Sequence, residues 1–255
     1  MRGLQGKAVL MAGGAGGIGT ATSRRLGAEG ARVLVGDLNA DAARAVADEI
    51  TAAGGEAFSM ALDIGHEEAV VDAVQAAVKA FGGLDGIHVN AADLSSETVL
   101  NDSNAIDIDL DVFDRTVHTN LRGHLLCTRH ALPELLKRDG GALVYTSSAA
   151  SFIGEPERPA YAMTKSGINA LVRHVASKWG RTGIRANAVA PGLVITEKNM
   201  QNLDPKFRDY ALKGTRSRRL GQPDDIAGMV AFLLSDDGEW VNGQVISVDG
   251  GATLR

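Results

Sequence analysis

Short apolar runs alternate with longer amphipathic stretches along this 255-residue chain, and no other feature limits its possible folds as much. Residues 7–12, 31–36, 56–62, 86–90, 142–147, 184–189 and 244–248 have the length and aliphatic content of buried strands. Helical periodicity covers residues 17–29, 40–53, 67–81, 110–137, 161–179 and 224–235, the last starting just after Pro223. Strands separated by helices pair in parallel, because each connection has to return to the same end of the sheet. Right-handed crossovers then wind the chain into an α/β, doubly wound fold: a seven-stranded parallel sheet with helices on both faces. Ligands in that architecture sit beyond the carboxyl ends of the strands, where the strand order reverses. The sequence has no linker rich in Pro, Ser or Gly and no internal repeat, so residues 1–255 are expected to form one domain. Residues 92–109, which are polar, and 192–223 break the alternation. Long insertions of this kind usually serve as lids or binding loops, and about 192–220 is expected to cover a substrate.

The chain is 45% hydrophobic and 22% charged, an ordinary globular balance that argues against disorder. A net charge of −5 offers no broad attraction to nucleic acid, and the short cluster of Arg216, Arg218 and Arg219 lacks interleaved aromatics. Cys127 is the single cysteine, which excludes an intrachain disulfide, and its apolar neighbours Leu125 and Leu126 suggest a core position. The histidines at 66, 88, 118, 124, 130 and 174 show no metal-ligand spacing, so no metal is expected. Residues 1–7 lead directly into the first strand without signal-peptide architecture, and no apolar stretch approaches a membrane span. A cytoplasmic location is therefore expected, with neither a membrane nor a nucleic-acid partner.

The first strand runs straight into a glycine-rich turn, Ala12-Gly13-Gly14-Ala15-Gly16-Gly17-Ile18-Gly19, and then into a helix. Glycines there allow a tight turn and close approach to a pyrophosphate, while the helix start supplies unpaired N–H groups and a positive dipole end. Asp37 ends the second strand, eighteen residues after Gly19. A carboxylate at that point accepts hydrogen bonds from a ribose and repels a 2′-phosphate, which favours NAD over NADP as cofactor. Arg24 and Arg25 lie within the helix pattern, and Leu38 and Asn39 bring no charge. The competing role for Asp37 is as a turn or cap residue before the second helix.

Tyr161 and Lys165 are four residues apart on a predicted helix and so share a face. A phenol titrates near pH 10, and a neighbouring ammonium favours its ionised form. Tyr145 and Tyr210 are followed at the same spacing by Ala149 and Gly214. Ser148 lies thirteen residues before Tyr161, with Ser147 beside it as the competing serine.

Together these residues resemble the short-chain dehydrogenase/reductase family, in its short one-domain branch with a Rossmann fold, over nearly the whole chain. The family's Thr-Gly turn corresponds to residues 12–19, its Asn-Asn-Ala-Gly segment to Val89, Asn90, Ala91 and Ala92, its helix asparagine to Asn120, and its Pro-Gly after the sixth strand to Pro191 and Gly192. The resemblance implies that Asn120, Ser148, Tyr161 and Lys165 are catalytic. Tyr161 would act as the base in alcohol oxidation, Ser148 would bind the substrate oxygen, Lys165 would lower the tyrosine pKa and hold the nicotinamide ribose, and Asn120 would hold a relay water. It also implies that NAD is contacted by Gly13, Gly17, Ile18, Gly19, Asp37, Asp63, Ile64, Asn90, Ala91, Tyr161, Lys165, Pro191, Gly192, Val194 and Thr196. The substrate would be a secondary alcohol or ketone, and the assembly a homotetramer. An NADPH-dependent 3-oxoacyl-carrier-protein reductase and a non-catalytic dinucleotide sensor are the alternative readings. Ala12, Val89 and Ala92 depart from the family pattern, and altered packing rather than lost activity is expected there.

Overall fold

A computed structural model describes residues 1–138, 140–196, 200 and 204–254. Among these, seven strands form one sheet: β1 Ala8–Ala12, β2 Arg32–Asp37, β3 Glu56–Ala61, β4 Gly86–Val89, β5 Gly141–Thr146, β6 Ile184–Pro191 and β7 Val245–Val248. Their order is β3-β2-β1-β4-β5-β6-β7, and every neighbouring pair is parallel. The chain moves outward from β1 through β2 to β3, then crosses back to place β4 on the other side of β1. The switch point therefore falls between β1 and β4, where Ala12 pairs with Val89.

Alternation along each strand divides the core in two. Ala8, Leu10 and Ala12 join one buried cluster with Leu126, Ile168 and Val172, under helices α3 Glu67–Phe81, α6 Gly123–Leu136 and α7 Pro159–Trp179. Val9 and Met11 face the other cluster, with Leu26, Ile50 and Ile226 from α1 Gly17–Ala28, α2 Ala40–Ala52 and α9 Pro223–Leu234. Cys127 is buried in the first cluster, where its thiol is pushed up to about 12 by burial.

The predicted helix over residues 110–137 is not continuous. It runs as α5 Leu110–Val117, a π-turn at His118–Arg122 and then α6. The amphipathic pattern passes unbroken through a single π-turn, so periodicity alone cannot show it. Gly123 closes the turn, its N–H bonding His118 O, and a Cβ there would come within 2.8 Å of Ile64. Both predicted irregular segments hold a helix. Ser95 caps α4 Ser96–Val99 through the Thr98 N–H, and Asp204 caps α8 Pro205–Gly214 through the Lys206 N–H. The departures at Ala12 and Val89 are absorbed as core positions, each fully buried. Ala92 needs no left-handed backbone. Among the described residues, no helix is long and apolar enough to cross a membrane.

Candidate active site

The carboxyl ends of β1, β2 and β4 converge on the glycine turn. Gly13 has φ of 85°, and a Cβ on it would stand 2.5 Å from Ala91 N. A Cβ on Gly19 would lie 2.0 Å from Gly13 O, so the helix start packs directly on the turn. Gly17 lies under Thr196, with 2.4 Å from an ideal Cβ to Thr196 Cγ2, and this brings the segment after β6 over the start of α1. Ile18, in that first turn, packs against the second core cluster. No side chain caps α1, and its first turn holds no acidic residue.

Asp37 turns toward the glycine turn. Its Oδ2 accepts from Ala15 N at 2.9 Å and its Oδ1 from Asn39 N at 3.0 Å. The cap of α2 is Asn39, which accepts from Ala42 N. Asp37 thus has one oxygen in the local turn before α2 and the other at the glycine turn, while the cap of α2 itself falls to Asn39. Arg24 pairs with Glu49 and Arg25 with Glu29, which holds both cations on the outer helix surface. Asn90 joins the turn to the sheet: its Nδ2 donates to Gly13 O at 2.9 Å, and its Oδ1 accepts from Thr146 Oγ1 at 2.9 Å. Ala91 N donates to Ala12 O. After β3, Asp63 accepts from Gly65 N at 2.8 Å beside the buried Ile64. After β6, Gly192 N donates to Val248 O, and Val194 bridges to Gly221.

These residues fit a dinucleotide. A side chain at Gly13 or Gly19 would fill the turn, α1 offers uncapped N–H donors to a pyrophosphate, and Asp37 sets acceptor oxygens beside them.

Ser148, Tyr161 and Lys165 meet at the ends of β5 and α7. The Ser148 hydroxyl lies beside the Tyr161 phenol, close enough to favour its ionised form, and accepts from Ala150 N at 3.2 Å. Lys165 is 1% exposed; its Nζ donates to Thr146 O at 2.7 Å and sits 5.6 Å from the centre of the Tyr161 ring. Burial pushes the phenol above its ordinary value, against the pull of the Ser148 hydroxyl and the Arg158 guanidinium, while Glu155 adds to the rise. Burial also holds Lys165 down, to about 7. Two cations thus lie over the ring, Lys165 buried and Arg158 partly exposed, and sequence reasoning did not single out Arg158.

Ser147 is committed elsewhere. It is buried, and its hydroxyl donates to Asn169 Oδ1 at 2.7 Å. Asn120 is central in the π-turn and fully buried, and its Oδ1 accepts from Asp93 N at 2.6 Å. Two further residues shape the site. Asp102, 3% exposed, accepts from Ala160 N at 3.1 Å and Tyr161 N at 2.9 Å, capping the helix that carries the tyrosine. His88 Nε2 contacts Thr146 Oγ1 at 2.9 Å. Because that hydroxyl donates to Asn90, His88 has to be the donor, which leaves its Nδ1 bare.

A glycine-cradled dinucleotide site beside a Ser-Tyr-Lys cluster, on a seven-stranded parallel sheet, defines a class of nicotinamide-dependent oxidoreductases. The family described as Enoyl-(Acyl carrier protein) reductase matches residues 13–253. A probable short-chain type dehydrogenase/reductase of Bradyrhizobium diazoefficiens is 38% identical over 247 residues, covering 97% of this chain and 87% of that protein. The 7alpha-hydroxysteroid dehydrogenase of Bacteroides fragilis is 30% identical over 255 residues, covering 100% and 97%. A solved 7 alpha-hydroxysteroid dehydrogenase, complexed with NADH and 7-oxo glycochenodeoxycholic acid, superposes with a TM-score of 0.91 at 32% identity over 99% of this chain and 97% of that one. The chain belongs to the short-chain dehydrogenase/reductase family.

Proposed function

We propose that the protein is an NAD-dependent oxidoreductase that interconverts a secondary alcohol and its ketone. The observation that carries this reading is the junction of Ser148, Tyr161 and Lys165 next to the glycine turn. When bound, the nicotinamide would accept or return the hydride. The chain's own residues handle the proton and the position of the substrate. Ser148 holds the substrate oxygen, and Tyr161 takes the hydroxyl proton in oxidation or gives it back in reduction. Burial disfavours the charged form of both Tyr161 and Lys165 taken singly. A phenolate and an ammonium formed side by side would relieve each other, so the two are expected to titrate as a pair. Asn120 already spends its side-chain oxygen on Asp93. A relay water there would be held by the bonding capacity that the Asn120 amide has left beside Asp93.

NAD is supported by the Asp37 oxygen at Ala15 N and by the pairing of Arg24 and Arg25 with Glu49 and Glu29. It also agrees with the NADH in the solved 7 alpha-hydroxysteroid dehydrogenase. Of the expected lid at about 192–220, residues 197–199 and 201–203, Leu203 included, lie outside the described residues. Ile195, Met200, Pro205 and Arg208 border one depression there, suited to an apolar substrate with a polar edge. We assign residues 1–255 to a single domain. The exposed Leu110, Leu125 and Met163 on α5, α6 and α7 support a homotetramer built across these helices, and a monomeric mass by light scattering would refute that assembly.

The test follows nicotinamide absorbance over a panel of secondary alcohols, with NAD and NADP in parallel and Tyr161→Phe as control. The expected result is NAD reduction that falls by roughly 10²- to 10⁴-fold in the variant. The match to the family described as Enoyl-(Acyl carrier protein) reductase favours a second reading, reduction of a carrier-bound acyl chain. Preference for NADPH, with turnover of 3-oxoacyl thioesters only, would establish that reading. Tight NADH binding with no turnover of any substrate would leave a sensor.

A further inference from the structure

Arg158 holds a backbone conformation that its sequence disfavours. It has φ of 61° and ψ of 49°, and it is the one non-glycine residue at positive φ among the described residues. It also precedes Pro159, whose ring pushes the preceding residue toward extended backbone. A left-handed arginine in that position persists only where its surroundings hold it. Here its N–H donates to Asp102 O at 2.9 Å and Ser103 O at 3.1 Å. The Asp102 carboxylate takes the N–H groups of Ala160 and Tyr161. At the other end of the side chain, Arg158 Nη2 donates to Glu155 Oε2 at 2.9 Å. The outcome is a guanidinium carbon 5.5 Å from the centre of the Tyr161 ring, about as near as Lys165 Nζ at 5.6 Å.

The two cations differ in constancy. Lys165, held near 7 by burial, gains and loses its proton across the ordinary working range, whereas a guanidinium stays charged throughout. Glu155 opposes it from the loop before α7. Of the other charged groups facing this point, Asp102 is tied to the start of α7, and Asp93, from the segment after β4, is bonded to Thr98 and Ser95.

We infer that Arg158, locked by Asp102 and Glu155, is a positioning residue that supplies the fixed positive charge stabilising the Tyr161 phenolate. The inference rests on the reading of Tyr161 as the proton acceptor, yet it can be tested without a substrate. With three tyrosines in the chain, tyrosine labelled at the ring carbon bearing the hydroxyl gives three NMR resonances, and Tyr161→Phe assigns one of them. These are titrated from about pH 8 to about pH 12, because the phenol starts above its ordinary value of about 10. Arg158→Gln is expected to raise the Tyr161 midpoint by about one unit, Arg158→Lys to stay near the parent, and Glu155→Gln to lower it. Glu155→Gln leaves the left-handed position untouched, so it carries the test should Arg158→Gln misfold. An unchanged midpoint in folded Arg158→Gln, equal shifts in the Gln and Lys variants, or a rise in Glu155→Gln would each overturn the inference. Turnover that survives Tyr161→Phe would remove the functional reading instead, whatever the titration shows.

Discussion

The residues at the site divide by how far away their partners lie in sequence. Ser148 and Tyr161 are thirteen apart and Tyr161 and Lys165 four, distances that a single strand-turn-helix unit fixes locally. Ser147 and Ser148 looked interchangeable by composition, and strand alternation separates them: Ser147 points into the packing of Asn169, Ser148 toward the phenol. Ser148→Ala is accordingly expected to cut turnover by about 10²-fold while costing no more than about 1 kcal/mol of stability, through the Ala150 N–H that its hydroxyl caps. Ser147→Ala is expected instead to cost about 1 kcal/mol through the unpaired Asn169 while turnover stays within a few-fold. Parallel kinetics and urea melts on the two variants decide it, and equal kinetic losses would leave the assignment of Ser148 without support. Asp102 and Arg158 had no comparable signal. Asp102 is 58 residues from Ala160, and nothing in its neighbourhood marks it as the cap of a distant helix.

Among the elements, α7 carries Tyr161 and Lys165, and its start is the point under most constraint. Pro159 occupies the first helical turn, where its missing N–H costs nothing, but the following N–H groups of Ala160 and Tyr161 need acceptors. No side chain next to the helix supplies them, and the buried Asp102 carboxylate does so from the 92–109 insertion. Replacing it by alanine strands two donors at the base of the tyrosine. Asp102→Ala is expected to destabilise the protein by about 2 kcal/mol and to lower turnover several-fold through a loosened Tyr161. A change under about 0.5 kcal/mol in a denaturant melt would show that water replaces the cap without loss. The π-turn belongs to this scale too. The pattern over residues 110–137 reads as one helix because an inserted π-turn keeps the apolar stripe facing the sheet, and only the close approach of Gly123 to Ile64 and the hold of Asn120 on Asp93 place the turn at His118–Arg122.

At the scale of the whole molecule, the polar groups buried beneath the site set its response to acid. His88 is pushed down to about 3, with burial the largest cause and Lys165 adding to it, and His124 is also held well below its ordinary value, first by burial. The unfolded chain binds these protons near pH 6.5 and the folded chain does not, so stability is full above about 6.5 and falls as pH drops through that value. For His88 the loss reaches about 2 kcal/mol by pH 5, and His124 adds a loss in the same direction. Among the described residues neither ring nitrogen of His124 has a well-formed hydrogen bond, the main chain of Val89 being the polar group nearest to one. His124→Leu is thus expected to match or exceed the parent at pH 7 and to lose less stability between pH 7 and pH 5. Denaturant melts at the two pH values test this, and an unchanged acid slope in the variant would contradict it.

The sequence by itself determined the alternation of strand and helix, the glycine turn with its carboxylate at Asp37, and the Ser148, Tyr161 and Lys165 spacing, because each rests on contacts between residues close in the chain or on one repeating element. Tertiary structure alone decided that Asp102 caps α7, that Arg158 is bent over the tyrosine ring, that Thr196 covers Gly17, and that Asn90, Thr146 and His88 form one buried chain of hydrogen bonds. These depend on strands β1, β4 and β5 ending side by side and on the insertion after β4 folding back over α7. Distances of that kind are set by sheet order and helix packing, and no local pattern of residue types encodes them.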